Sequence, residues 1–174
     1  MPETLVSRAA ELGYPALALL DRDGIYGAPR FHLAAKKAGL KGIIGAELTL
    51  TLGRGQGSEA RGQKTAGKRY LASVPWPLTP AVWRLPVLVA SRAGYRNLCR
   101  LVTRMKLAAP KGSGSLTLDD LDGRTGGLIA LIGREALGVG RHGVGGLVDR
   151  LVGIFGRDGV HVELQRHLRR DEEA

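Results

Sequence analysis

The run Ala16-Leu17-Ala18-Leu19-Leu20, bounded by Pro15 and Asp21, is the feature that most restricts the fold. A strand with one wet face alternates polar and apolar residues, whereas a short unbroken apolar run fits a strand covered on both faces, as in α/β sheets. Helical patterns flank it. From Glu3 to Leu12 the apolar residues Leu5, Val6, Ala9 and Leu12 recur at helical spacing, with Gly13 as a stop. Between Gly27 and Ala38, Phe31, Leu33, Ala34, Ala35 and Ala38 supply a second stripe and Gly39 its cap. Gly42 to Leu52 reads as another strand. This helix–strand alternation predicts an α/β fold with a parallel sheet or an irregular (β/α) barrel.

Residues from about 53 to 83 break the pattern with glycine, serine, lysine, arginine and proline, and they predict a basic Gly/Pro-rich insertion in one domain, or a large piece of one, over residues 1–174. Leu85 to Ala90 reads as a strand, with Pro86 placing it at an edge or a strand start. A helix is predicted over Arg92–Leu107. Its inward face is Tyr95, Leu98, Leu101, Val102 and Met105, and the single cysteine, Cys99, takes an apolar core position. Leu116–Leu121 reads as a short capped turn, Gly127–Ile132 as a strand, Val144–Phe155 as a helix and Gly159–Leu164 as a last strand. Gly138, Gly140 and Gly143 have the spacing of a phosphate loop, but glycine is frequent throughout the chain and the spacing carries no assignment.

Charge narrows the range of partners. Between Arg54 and Lys111 twelve Lys and Arg face one acid, Glu59, while the remaining fourteen bases and fifteen acids nearly cancel. The net charge of +10 is therefore concentrated in one middle segment. Within it, Arg92, Arg96, Arg100 and Arg104 repeat every four residues and form a helical stripe suited to DNA phosphates. A solvated face in an arginine-rich protein would give the same pattern. No apolar run approaches the roughly 20 residues of a membrane span, and Met1-Pro2-Glu3-Thr4 lacks a secretory leader pattern, so a cytoplasmic protein is expected.

Chemistry is expected where the first strand ends, in Asp21-Arg22-Asp23-Gly24, because loops at strand carboxyl ends are free of ladder bonding. Asp21 and Asp23 also suit capping and turn formation. Glu47, within an apolar strand, needs a cation or strong donors, and Arg22 is available as such a partner. Together with Gly45-Ala46-Glu47, Gly94-Tyr95-Arg96-Asn97-Leu98-Cys99-Arg100-Leu101 and Glu163-Leu164-Gln165-Arg166-His167, this stretch resembles the PHP (polymerase and histidinol phosphatase) domain of bacterial C-family DNA polymerases, most like the error-prone type.

That resemblance implies a PHP-type irregular barrel, incomplete in this chain, and a divalent zinc or manganese site that is lost or weak. Glu47 and His167 match metal ligands of the family. Arg22 stands where a ligand histidine is usual, and a guanidinium has no lone pair to give a metal. The His-x-His motif of the family is absent. Implied partners are DNA and a polymerase core, on the same or an adjacent polypeptide, and the role expected of this portion is structural. Two other functions remain open: a stand-alone PHP metal-dependent phosphoesterase, which needs an intact metal cluster, and a non-enzymatic nucleic-acid-binding module, which leaves Glu47 and His167 unexplained.

Overall fold

A computed structural model describes residues 1–51, 82–133 and 143–164, with side chains from residue 146 in the last segment. In chain order the elements are α1 (Pro2–Glu11), β1 (Ala16–Arg22), α2 (Ala28–Lys37), β2 (Lys41–Thr51), β3 (Val82–Val89), α3 (Arg92–Leu107), α4 (Leu118–Leu121), β4 (Leu128–Ile132), α5 (Gly143–Phe155) and β5 (Val160–Val162). A 3-10 turn, Arg157–Gly159, precedes β5. The insertion expected at 53–83 lies outside the described residues except for Val82 and Trp83, which open β3. Gly138 and Gly140 also lie outside them, while Gly143 begins α5.

The strands form one sheet in the order β1-β2-β3-β4-β5. Its outer pairs, β1·β2 and β4·β5, are parallel, as helix–strand alternation predicts, but β2·β3 and β3·β4 are antiparallel. The sheet is therefore mixed, which corrects the parallel expectation. Strand direction escapes a sequence reading because an apolar run covered by helices looks the same in either direction.

β3 is also central rather than at an edge, with Pro86 inside it opposite Glu47. The β3·β4 ladder covers only Val87–Val89, so Pro86 lies beyond the end of that ladder, where a missing N–H forfeits no bond.

Side-chain alternation sorts the two faces. Ala46, Leu48 and Leu50 of β2 lie in register with Val87, Leu85 and Trp83 of β3, and all six are buried with Leu128, Ala130 and Ile132 of β4. Against this layer pack Leu98, Leu101 and Met105 of α3, Leu118 and Leu121 of α4, and Leu147 and Leu151 of α5. Burying each of the three α3 residues contributes about 2 kcal/mol. A smaller cluster of Val6, Phe31 and Ala35, with Leu17 and Leu19, holds α1 and α2 on the same side of the sheet. Leu5, Leu12 and Leu33, expected in these stripes, are exposed instead. Each lies at the margin of a helix whose buried stripe is narrower than its apolar content.

The approach of α3 to the sheet is closest at its first turn. Ser91 caps the helix by accepting the Gly94 N–H at 3.1 Å, and Asn97 donates to the Gly126 carbonyl at 2.9 Å. A Cβ on Gly94 would overlap the Gly127 carbonyl, so the backbone contact that sets the pose of α3 requires glycine there.

Candidate functional site

The acidic residues at the end of β1 do not converge. In the β1·β2 register Asp21 lies beside Ala46 and Arg22 beside Glu47, so Asp21 shares the helix-covered face while Arg22 and Glu47 lie on the other. Asp21 Oδ2 accepts the Gly27 N–H at 2.7 Å. Gly27 is the N-cap of α2 and has no capping side chain, so the strand supplies the anion that favours this helix start.

Asp23 bridges β1 and β2. Its backbone is left-handed, with φ 51°, and its N–H donates to the Glu47 carbonyl at 2.9 Å. Its carboxylate accepts from the Thr49 N–H at 2.8 Å and the Thr49 hydroxyl at 2.9 Å. Thr49 is buried, so these bonds satisfy groups that water does not reach. Asp23 and Asp21 thus both act as turn and cap residues.

Arg22 is mostly exposed, and its Nε lies 3.9 Å from Asp23 Oδ2. An exposed pair at that distance is worth well under about 1 kcal/mol. The expected Arg22–Glu47 ion pair does not form, although the two are register neighbours: Glu47 is only half-buried and does not require a partner cation.

Among the described residues no group of three or more His, Cys, Asp or Glu could hold a metal ion. Asp21 accepts one backbone N–H, while Asp23 accepts the Thr49 N–H and hydroxyl, so the two carboxylates serve different partners. Glu47 contributes at most one carboxylate, and His167 lies outside the described residues.

The arginine helix forms as predicted, but its stripe is not uniform. Four-residue spacing at 3.6 residues per turn drifts by roughly 40° per step, so Arg92 and Arg104 end about 120° apart around the axis. Arg104 is pinned, its Nε and Nη2 each 2.7 Å from Asp120 Oδ1. The other oxygen of Asp120 accepts from the Thr117 N–H and hydroxyl, each at 2.9 Å, which completes a capping box on α4. Burial alone would raise the Asp120 carboxyl, but the bonds from Thr117 and Arg104 outweigh it and hold the group below its ordinary range. The pattern Thr117-x-x-Asp120 was the sequence signal for this anchor. Arg92, Arg96 and Arg100 are exposed, with no ion pair to the described residues.

Two residues assigned inward lie elsewhere. Tyr95 is 37% exposed, and Cys99 is half-buried on the wall of a groove of about 710 Å³ lined also by Arg100, Thr103, Arg104, Leu107 and Leu116. Cys99 follows Tyr95 one turn on along α3. Partial burial and the Cys99 thiol both push the phenol above its ordinary pKa. The buried stripe of α3 is centred on Gly94, Leu98, Leu101 and Met105, and Tyr95 and Cys99 lie outside it.

No helix among the described residues is long and apolar enough to cross a membrane. Residues 1–167 match the PHP domain family. The chain is 40% identical over 132 residues to an error-prone DNA polymerase of Ralstonia nicotianae, covering 76% of this chain and 10% of that protein. It is 33% identical over 199 residues to an error-prone DNA polymerase of Nocardia farcinica, covering 95% and 17%. A third, from Anaeromyxobacter sp. strain K, is 48% identical over 103 residues, covering 59% and 7%. The chain therefore spans about a tenth of the length of the relatives it matches. A solved structure of a candidate metal-dependent phosphoesterase from Bifidobacterium adolescentis aligns at a TM-score of 0.48 and 13% identity over 93% of this chain and 70% of that one. With its helix-backed α/β sheet and a match extending over nearly its whole length, the chain belongs to the PHP domain family.

Proposed function

We propose that this chain is the accessory PHP portion of an error-prone C-family DNA polymerase acting in damage tolerance, with nucleotidyl transfer carried by a polymerase core on the same or an adjacent polypeptide. The observation that carries this reading is the match of a PHP domain to error-prone DNA polymerases, supported by the internal hydrogen bonds that turn Asp21 and Asp23 to different partners. Glu47 and His167 are the remnant of a zinc or manganese site. The sheet belongs to an irregular (β/α) barrel of the PHP type.

The role is structural and electrostatic. α3, docked on the sheet by Leu98, Leu101 and Met105, holds Arg92, Arg96 and Arg100 outward along the approach of DNA, with Arg104 at the far end held by Asp120. Cytoplasmic location follows from this role.

The stand-alone phosphoesterase reading is separated by one assay. The chain is incubated with zinc or manganese and an aryl phosphate monoester. No turnover above buffer is expected. Metal-dependent turnover abolished by Glu47→Gln would overturn the accessory reading.

A further inference from the structure

The outer surface of α3 carries two parallel rows rather than one stripe. Arg92, Arg96, Arg100 and Arg104 form the first. Tyr95, Cys99, Thr103 and Leu107 form the second, also at four-residue spacing and three residues out of step, which sets the rows side by side. The second row is not charged. Tyr95 is 37% exposed near one end of the row, and Leu107 is 84% exposed at the other. There the row borders the groove, which Arg100, Leu116 and the Arg104-paired Asp120 also line.

Duplex DNA offers such a surface phosphates and groove edges but no free base faces, because its bases are paired and stacked inside. An aromatic ring beside the arginines finds nothing to stack on in a duplex. It gains from unpaired bases, which stack on aromatic side chains and enter apolar grooves while phosphates track the cationic row. The three arginines without ion pairs to the described residues supply the complementary charge. Resting on the DNA-facing reading above, we infer that this face of α3 is a single-stranded DNA platform: Arg92, Arg96 and Arg100 hold consecutive phosphates, a base stacks on Tyr95, and the groove beside Leu107 receives another.

The test is fluorescence anisotropy of the full chain with a labelled oligothymidylate and with a hairpin duplex of equal phosphate number, titrated with salt. Tighter binding of the single strand is expected. Tyr95→Ala should weaken oligothymidylate about tenfold, within the range of one base stack, and leave the hairpin unchanged. Tyr95→Phe, which keeps the ring and loses only the hydroxyl, should bind like wild type. Leu107→Gln, at an exposed position that folding does not depend on, should also weaken the single strand alone. Arg100→Gln should lower the salt slope for the single strand by roughly 0.7. Equal affinity for strand and hairpin, or equal loss on both in Tyr95→Ala and Leu107→Gln, would overturn the platform while leaving the DNA-facing role standing. Absence of binding to either probe, or binding of polyglutamate as tight as that of oligothymidylate, would overturn both.

Discussion

Replacing Asp23 by alanine should destabilise the chain by about 3–5 kcal/mol, although Asp23 lies in a surface turn. Two effects add. The carboxylate bonds to the Thr49 N–H and hydroxyl at 2.8 and 2.9 Å, and Thr49 is buried, so alanine leaves both groups without a partner. Loss of hydrogen bonds to a charged acceptor, with a buried donor stranded, costs about 2–3 kcal/mol. The backbone at φ 51° adds about 1–2 kcal/mol for a residue with a Cβ and no local polar group to stabilise that conformation.

Other substitutions separate these causes. Asp23→Gly relieves the backbone and should recover about 1 kcal/mol relative to alanine. Asp23→Asn keeps an acceptor for the N–H, offers a donor to the hydroxyl and tolerates the left-handed region, so it should cost only about 1 kcal/mol. The measurement is urea unfolding followed by circular dichroism, comparing midpoints at constant slope. The expected order of stability is wild type, Asn, Gly, Ala. Alanine within about 0.5 kcal/mol of wild type, the range of ordinary surface substitutions, would refute the bridging role. Asparagine as damaging as alanine would show instead that the negative charge is what matters, which points back to a cation.

Gly94→Ala should disrupt the docking of α3 more severely than its size suggests, by about 3 kcal/mol or more, since the Gly127 carbonyl is backbone and cannot rotate away; a melting temperature equal to wild type would contradict this. Asp120→Asn should cost about 1 kcal/mol at neutral pH through the weakened bond to Arg104. Because the folded-state pKa of Asp120 is depressed, its contribution is full above the unfolded value and is lost as pH falls through the folded one, so the gap between Asp120→Asn and wild type should begin to narrow below about pH 4; a gap that stays constant down to about pH 2 would show that Asp120 is not its source. After incubation with zinc or manganese and desalting, the chain should retain little metal, and a tightly held stoichiometric cluster found by elemental analysis would refute the vestigial reading.

The sequence made some levels of this structure visible and hid others for physical reasons. α3 could be bounded to the residue because a strong apolar period ran between Ser91 and Leu107. β1 was found from its unbroken apolar run, but the antiparallel joins at β3 were invisible, since period-two patterns carry no direction. At the site, it was legible that Arg22 itself is no metal ligand, because a guanidinium cannot coordinate whatever its surroundings. The fate of Asp23 was not, because aspartate tolerates the left-handed region and nothing in the linear order shows that Thr49 would meet it. Tyr95 was misplaced for a related reason: it borders the buried stripe, and an apolar period alone cannot say on which side of the border a ring will lie.

These pieces join into one account of how such a site can change its work. Carboxylates that hold a metal must keep lone pairs aimed into a shared space, at a cost offset only while the cation is bound. In this chain Asp21 and Asp23 point to different partners, one capping α2 and the other tying β1 to β2, and each is satisfied without a cation. A lone histidine introduced at Arg22 would therefore meet no convergent set of ligands among the described residues. Building a metal centre around Asp23 would require breaking the Asp23–Thr49 bridge as well, with the stability loss worked out above. Arg22→His should thus change metal affinity little, and a large gain from that single substitution would show that the carboxylates are less committed than their hydrogen bonds indicate.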